Sequence, residues 1–551
     1  MPGSSRPKAQ ASSIILIIVY VLCLMARSEY FKIMCTRIGE YGPHYVPPSS
    51  EAIRTTLLDR EKAVVETATR TMRLTWAKYG VSLIADGWSD TRRRSIHGVV
   101  AYCKGEMYFA HSHDATETGK SADVLAGEWA TAIETIGSEL IVGLVTDGEA
   151  SNRAAGSILE GLYSHVTVSF CFAHCLNNLL KDIGRLPWIE PLIASASKLV
   201  SFINNHNLLR VEFLKRSGGK VLLKYCETRF AFNFLMVHRL CECQSAVRQL
   251  LISEEYTSSS YAGTVSRIIC AEKSKDPKFW FELKKLDIMV KPLIHLLRVV
   301  DGMQPCIGKV YEAMDRTVEA LSKLETDEDK AGQLRALCET RWNQYSSDLH
   351  GAAYMLDPEF QGSGQESDRE VSGQWNKILN KLVPDSSLRR TIRDQLDAYR
   401  DMRGSFGLAD AQLDRKQISS VLWWSDYGSD GPELQRLAMR ILSQAVSSSC
   451  LEQLWSVYSH IASKKRNRLA VERANDLVFV SANLRMLNKN AVKVGDPFLQ
   501  WEMEAEAEIH AEAGGSTSPL EEVEPEGADG DEDIDWDAIH DIDATTTDWE
   551  A

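Results

Sequence analysis

The sequence has few of the features that mark disulfide-bonded or membrane-spanning proteins. Its 12 cysteines are scattered over 551 residues at irregular spacings, which argues against a disulfide framework and favours a reducing compartment. The apolar run at residues 13–25 is shorter than the about 20 residues that a membrane-spanning helix needs. Because this run follows a short basic start, residues 1–27 are predicted to be an atypical apolar N-terminus. They are either a mis-joined or truncated start, or a real signal or anchor.

Basic side chains are absent from the last part of the chain. Residues 501–551 contain 19 acidic and no basic residues, so 57 of the 76 acidic residues remain against 62 basic ones in residues 1–500. The body is therefore mildly basic, although the whole chain carries a formal charge of −14. A segment with one sign of charge and few apolar residues cannot offset its chain entropy by burial. We predict a disordered acidic tail over residues 501–551, which is either simply solvated or competes with DNA for the basic body.

Short apolar runs alternate with helical patterns between residues 81 and 171. The turn Lys104-Gly105-Glu106 separates two of these runs and predicts a hairpin. Ser121 is a candidate N-cap for the first helical pattern. The predicted strands are residues 81–86, 96–103, 107–114, 140–146 and 166–171, and the predicted helices are residues 121–136 and 151–163. The order β-β-β-α-β-α-β predicts an α/β protein with a ribonuclease-H-like core.

Two of the predicted strands lead into an acidic residue. Asp86 closes the first strand, and Asp147 follows the fourth. A right-handed crossover would lay the fourth strand parallel to the first, so the two acids would face each other at one edge of the sheet. Phosphodiester transfer in such folds uses two divalent metals, and Mg²⁺ prefers hard oxygen ligands. The pattern therefore predicts a site for Mg²⁺ or Mn²⁺. A third acidic ligand must come from another part of the chain.

Several motifs resemble those of the hAT superfamily of DNA transposases, especially a plant group with a core domain of unknown function. Residues 83–90 (LIADGWSD) and 143–152 (GLVTDGEASN) resemble the first and second acid motifs, and residues 171–174 (CFAH) resemble the Cys-x-x-His motif. Residues 228–230 (TRF) resemble a Thr-Arg-Trp motif. The block from Leu442 to Val480, with Glu452-Gln-Leu-Trp455, resembles the C-terminal dimerisation segment and is the most specific part.

The resemblance implies roles that the residues alone do not establish. Glu452 becomes the third catalytic acid, on a helix, so that Asp86, Asp147 and Glu452 would hold the metal. Cys171, His174, Arg229 and Phe230 are placed in the vicinity of the active site. For His174, a simple role at a helix start is the alternative, and a zinc site with Cys171 and Cys175 lacks a second ligand pair. His111 and His113, which alternate on a strand, are expected to be structural.

The remaining domains follow from helical patterning together with the resemblance. The core is predicted at residues 46–200, a large all-α insertion at 201–415, and the C-terminal helical dimerisation region at 416–490. Leu454, Trp455, Leu477 and Val478 are the predicted dimer contacts, although packing within the chain could also explain their helical faces. The tryptophans at positions 342, 423 and 424 are expected to pack in the core.

A short basic cluster lies between the two predicted C-terminal helices. Lys464, Lys465, Arg466 and Arg468 are candidates for phosphate contacts, and they weakly resemble a nuclear localisation patch. An ordinary solvated turn is the alternative.

Three departures from the family pattern leave the function open between two hypotheses. Phe230 replaces a Trp, Gln453 replaces an Arg, and no cysteine and histidine set near the N-terminus has zinc-finger spacing. The first hypothesis is an active transposase that cleaves and transfers strands of transposon ends or genomic DNA, with water or a 3′ hydroxyl as nucleophile. The second is a domesticated, non-catalytic, DNA-associated dimerisation protein of the nucleus. Either would form a homodimer or higher homo-oligomer without a small-molecule substrate, and a cellular nuclease of the same fold is less well supported.

Overall fold

A computed structural model describes residues 29–90, 93–225, 231–259, 275–324, 327–461 and 471–487. The chain divides into two compact units, Met1–Glu61 and Lys62–Ala551. The described part of the first unit is helical. It contains α1 (Glu29–Tyr41), α2 (Ser50–Ala52), a π-helical turn (Ile53–Leu57) and the beginning of α3 (Leu58–Arg73). Ser49 caps α2, because its hydroxyl accepts a hydrogen bond from the backbone N–H of Ala52.

The second unit contains a mixed sheet of five strands. The strands are β1 (Val81–Ser89), β2 (Ser95–Cys103), β3 (Glu106–Asp114), β4 (Ile141–Thr146) and β5 (Thr167–Phe170), in the spatial order β3-β2-β1-β4-β5. The first three strands are antiparallel to one another, whereas β4 is parallel to β1 and to β5. Helix α5 (Ala122–Ile136) links β3 to β4, and α6 (Ala150–Leu162) links β4 to β5. The predicted α/β class and the predicted order of elements are therefore confirmed.

The first strand extends further than its apolar residues predicted. Asp86 was expected to close the strand, but β1 continues to Ser89 because β2 keeps pairing with it, with Asp86 opposite Gly98 and Ser89 opposite Ser95. The pairs of β1 with β4 run from Val81 to Ile84. Asp86 thus lies inside the β1–β2 ladder and two residues beyond the last β1–β4 pair.

Each face of the sheet is covered by a separate hydrophobic core. On one face, Leu83, Ala85 and Val99 pack with residues of α5 and α6. On the other face, Ile84 and Val145 belong to a larger core that includes most of the remaining helices. The alternation of side chains along a strand produces this division, and the sheet becomes the middle layer of a helix–sheet–helix arrangement.

Every described element between β5 and the C-terminal helices is helical. A short α4 (Trp76–Tyr79) precedes β1. The other helices are α7 (Phe172–Gly184), α8 (Glu190–Asn204), α9 (Asn207–Arg216), α10 (Ala231–Glu242), α11 (Gln244–Ile252), α12 (Glu254–Thr257), α13 (Pro277–Asp301), α14 (Ile307–Leu324), α15 (Glu328–Tyr345), α16 (Asp348–Leu356), α17 (Arg369–Leu382), α18 (Ser386–Arg400), α19 (Ala409–Asp414), α20 (Ser420–Tyr427), α21 (Pro432–Leu442), α22 (Ser449–Ile461) and α23 (Val471–Leu487). The tryptophans at positions 423 and 424 are buried in this helical core, as predicted.

Within the described ranges, no helix is both long enough and apolar enough to cross a membrane. The apolar run at residues 13–25 and the predicted acidic tail at residues 501–551 lie outside those ranges. Their predicted character therefore stays a prediction.

Candidate functional site

The first two predicted acids lie at the same level on neighbouring parallel strands. Ile84 of β1 pairs with Val145 of β4, and two residues further along each chain stand Asp86 and Asp147. Both therefore lie towards the carboxyl edge of the sheet, where open α/β sheets place their ligands. The strand order that brings both residues to this edge agrees with the predicted topology, and the juxtaposition of the two carboxylates stays a prediction.

A buried segment brings the third predicted acid to the same edge. After α21, residues 443–448 run between β1 and the start of α7 with little exposure. The backbone N–H of Ala445 donates to Ser82 Oγ at 3.0 Å, and the N–H of Phe172 donates to the carbonyl oxygen of Val446 at 2.8 Å. Helix α22 begins directly after this segment, so Glu452 in its first turn is fixed relative to the sheet.

Asp86 is a partly buried carboxylate with one strong hydrogen bond. The indole Nε1 of Trp455 donates to Asp86 Oδ2 at 2.8 Å. Burial, followed by the nearby negative charge of Glu452, raises the pKa of Asp86 from 3.8 to about 6, although the Trp455 bond acts in the opposite direction. The negative charge of Glu452, one turn before Trp455 on α22, thus disfavours ionisation of Asp86.

Aromatic neighbours hold Trp455 in place, and Gly98, which has no side chain, leaves room for its ring. Its ring stacks on Trp88 with 5.9 Å between centroids and 11° between planes, and Tyr458 packs against its edge. A Cβ atom on Gly98, the partner of Asp86 in β2, would lie only 2.5 Å from Trp455 Cη2. Gly98 therefore leaves the room that lets the indole reach Asp86.

Glu452 is joined to the Cys-x-x-His segment at the start of α7. Glu452 Oε1 accepts a hydrogen bond from Ser448 Oγ at 3.1 Å and lies 3.6 Å from His174 Nδ1. This nitrogen is buried and has no hydrogen-bond partner among the described residues. The Cys171 sulfur, followed by the carboxylates of Glu452 and Asp86, raises the pKa of His174 against the opposing effect of burial.

Asp147 is oriented by the beginning of α6. Its Oδ1 accepts hydrogen bonds from the backbone N–H of Glu149, at 3.0 Å, and from the side-chain amide of Asn152. Asp147 and Asp86 both line an open cleft at the sheet edge, together with Lys120, Glu149 and Asn152. A molecule that enters this cleft therefore reaches both residues.

The structure brings four of the predicted residues together, namely Asp86, Glu452, His174 and Cys171. Asp147 is linked to Asp86 by the cleft that both residues line. The donor atoms of Cys171, His174 and Glu452 lie within 4.8 Å of one another, although a zinc role for Cys171 was not favoured by the sequence.

The other predicted contacts have different placements. Arg229 and Phe230, and the basic residues Lys464, Lys465, Arg466 and Arg468, lie outside the described residues. Leu454, Trp455 and Val478 are buried within their own chain, and Leu477 is partly exposed. Packing within the chain, the alternative left open by the sequence, accounts for the three buried side chains, and the dimer contacts predicted for them stay predictions.

Sequence reasoning missed the residues that orient the acids. Trp455 was assigned to a dimer face, yet it lies three positions after Glu452 and hence on the same side of one helix. That spacing was the available signal for a place near the site. The sequence carried no comparable signal for Lys120, Asn152 and Gly98. Their roles depend on strand register and on loops, which local spacing does not reveal.

Two family models match the chain. Residues 48–199 match a domain of unknown function (DUF659), and residues 405–484 match the hAT family C-terminal dimerisation region. The first segment contains Asp86, Asp147 and His174, and the second contains Glu452 and Trp455. No curated protein matches the chain.

Proposed function

The chain belongs to the hAT transposase family, with a DUF659 core followed by the hAT dimerisation region, and from this premise we propose that it cleaves and transfers DNA strands. Asp86, Asp147 and Glu452 are the proposed catalytic acids. The observation that carries the proposal is the parallel pairing of β1 with β4, because Asp86 and Asp147 each follow the pair Ile84–Val145 by two residues. Glu452 stands one turn before Trp455, which donates to Asp86.

A ribonuclease-H-like core is part of the proposal. Three antiparallel strands, a helical crossover to a fourth strand parallel to the first, and a fifth strand beyond it support this fold. The helices between β5 and α22 would be the all-α insertion of the family.

The donor set suits Mg²⁺ or Mn²⁺. Three carboxylates offer the hard oxygens that these ions prefer, and the electrostatic cost of placing Asp86 near Glu452 is one that a bound cation would relieve. Asp86, Asp147 and Glu452 would hold the metal. Once bound, two such ions would activate the attacking oxygen and stabilise the leaving oxygen.

The surrounding side chains would prepare the acids for this task. Trp455 fixes one carboxylate oxygen of Asp86, and Asn152 with the backbone of Glu149 fixes one oxygen of Asp147. His174, whose pKa is raised, keeps a proton beside Glu452. Lys120, on the cleft wall, is placed to contact a DNA phosphate.

An assay of strand cleavage tests the proposal. The full chain is incubated with Mg²⁺ or Mn²⁺ and a supercoiled plasmid that carries the two ends of the transposon. We expect nicking by the wild type, and a loss of at least about 10³-fold in Asp147→Asn, since a metal ligand contributes several kcal/mol to the transition state. Asp123→Asn, an exposed acid in the first turn of α5, is the matched control and should keep full activity.

The absence of nicking by the wild type under all of these conditions would contradict the proposal. It would favour the second hypothesis, a non-catalytic dimerising protein that associates with DNA in the nucleus. The match to the dimerisation region supports a homodimer under either hypothesis. Light scattering on the full chain should then give the mass of a dimer or a larger oligomer, and a monomeric mass would count against it.

A further inference from the structure

A second group of metal-ligating side chains lies on the other face of the sheet. His97 of β2 and His113 of β3 are paired across the two strands, and Glu128 of α5 reaches them from the covering helix. Val99, two residues after His97, belongs to the core with α5, whereas Trp455 belongs to the opposite core. The group is therefore separate from Glu452 and His174.

The three side chains already converge on one point. His97 Nδ1 lies 2.8 Å from Glu128 Oε2, and His113 Nε2 lies 2.8 Å from Glu128 Oε1. All the donor atoms lie within 4.8 Å of one another. Ligands of a tetrahedral ion with bonds of about 2.0–2.1 Å are about 3.3 Å apart, so an ion would enter after small movements of the side chains.

The surroundings support His97 as a ligand. Its other ring nitrogen, Nε2, lies 3.4 Å from Ser95 Oγ, so a hydroxyl oxygen is available to accept the second N–H of a metal-bound imidazole. The ring also lies against Gly87, where a Cβ atom would be only 3.3 Å from His97 Cδ2. His97 is buried, and Glu128 is mostly shielded from solvent.

Two imidazole nitrogens and one carboxylate select a different ion from the all-carboxylate site. Imidazole suits Zn²⁺ and other transition metals, whereas Mg²⁺ prefers oxygen. Two histidines and one glutamate form a three-ligand set known from zinc sites that keep a fourth position open. His97 and Glu128 both line the cleft that contains Asp86 and Asp147, so that position would be accessible from the cleft.

We propose that His97, His113 and Glu128 form a binding site for a transition-metal ion of the Zn²⁺ type. The ion would tie the β2–β3 hairpin to α5 in the wall of the cleft. The site does not depend on strand transfer, so it can exist in a chain without catalytic activity.

A titration of the full chain, first stripped of metal with a chelator, tests the site. Zn²⁺ alone is the probe, and its binding is measured by competition with a chromophoric chelator. We expect the wild type to bind one more Zn²⁺ than His113→Gln and Glu128→Gln, or to bind it at least about tenfold more tightly, since even outer-shell partners typically contribute 10–100-fold. Circular dichroism before Zn²⁺ is added checks that each variant is folded. One folded variant is sufficient for the comparison with the wild type.

The control removes a histidine of the same unit that lies outside the group. His165→Gln affects a hydrogen bond to the carbonyl oxygen of Ser138 and an edge contact with the ring of Tyr163, and it should bind Zn²⁺ like the wild type. Co²⁺ in place of Zn²⁺ should give the visible spectrum of nitrogen and oxygen ligands, which separates this ion from any bound to cysteine.

Thermal unfolding provides an independent readout. Zn²⁺ should raise the melting temperature of the wild type and of His165→Gln more than that of His113→Gln and Glu128→Gln. Any rise with Mg²⁺, which the three carboxylates at the sheet edge would bind, should be the same in all four proteins. Equal Zn²⁺ binding by the wild type, His113→Gln and Glu128→Gln would overturn the proposal. The three side chains would then be a hydrogen-bonded group only.

Discussion

Trp424, in the helical region, and Trp455, at the sheet edge, use the same indole group for different purposes. Trp424 is fully buried, and its Nε1 donates to the backbone carbonyl oxygen of Leu356 at 2.7 Å. Trp455 donates instead to the carboxylate of Asp86 at 2.8 Å. The partner distinguishes them, because a backbone acceptor belongs to the fold alone, whereas a carboxylate in a cleft can also meet a ligand.

The two regions also differ in their electrostatics. Around Trp423, Trp424 and Tyr399, the polar groups of the rings find partners inside the core. At the sheet edge, Asp86 stays partly buried beside Glu452 with a raised pKa. Groups with perturbed pKa values cluster at functional sites, and natural proteins accept a loss of stability there. Removal of the buried charge at the sheet edge should therefore raise stability, whereas removal of a buried ring from the helical region should lower it.

The largest expected effect is in the helical region. Trp424→Ala should lower the free energy of unfolding by about 4 kcal/mol, because it leaves a cavity and removes the shorter of two hydrogen bonds to the carbonyl oxygen of Leu356. Urea denaturation measures the change. A loss of less than about 1 kcal/mol would mean that the aromatic cluster is not the stabilising core that its burial implies.

The helical region also predicts a pH dependence. Burial lowers the pKa of His350 from 6.5 to about 4, so the unfolded chain takes up a proton before the folded chain does. As the pH decreases from about 6.5 to 4, His350 should therefore contribute a loss of about 3 kcal/mol of stability, measured as the difference from a variant without the imidazole. Denaturation at several pH values should show this loss in the wild type but not in His350→Leu. Parallel plots of the free energy of unfolding against pH for the two proteins would contradict this prediction.

At the sheet edge, removal of a charge should stabilise the protein. A pKa of about 6 in place of 3.8 means that the charged form of Asp86 costs up to about 3 kcal/mol at pH 7. Asp86→Asn should therefore raise the free energy of unfolding by about 2 kcal/mol, because the amide still accepts a weaker hydrogen bond from Trp455. The gain should disappear below pH 3.8, where both forms are neutral, and strand cleavage should be lost. A destabilised variant at pH 7 would contradict this comparison.

The smallest expected effect on stability is the loss of one indole hydrogen bond, and it distinguishes the tryptophan at the sheet edge from those in the helical region. Trp455→Phe and Trp423→Phe each lose one indole hydrogen bond, to Asp86 and to the carbonyl oxygen of Ala411, and each should cost about 1–2 kcal/mol. Only Trp455→Phe should also slow strand cleavage, by about tenfold. Equal cleavage by both variants would show that Trp455 does not position Asp86.

The order of elements was predictable from the sequence because each element carries a local signal. Alternating apolar residues marked β2 and β3, and a capping serine marked α5, where Ser121 Oγ accepts from the N–H of Val124. The extension of β1 to Ser89 was not predictable, since it depends on pairing with β2 and not on the residues of β1.

The candidate site was predictable in part for the same reason. The strand order predicted that Asp86 and Asp147 lie at one edge of the sheet. Glu452 was predicted from its resemblance to a family motif. The hydrogen bond from Trp455 and the group of His97, His113 and Glu128 arise from contacts between residues far apart in the chain. Periodicity reports which face a side chain occupies, but it does not report what lies opposite.

The central claim is that Asp86, Asp147 and Glu452 form one metal site at the carboxyl edge of the sheet. Anomalous diffraction from crystals grown with Mn²⁺ tests it most directly. The account predicts Mn²⁺ bound by carboxylate oxygens of Asp86 and Asp147, with Glu452 in the same site, and the loss of that ion in Asp147→Asn crystals. Mn²⁺ bound elsewhere, or absent from this edge while the three carboxylates remain in place, would contradict the account.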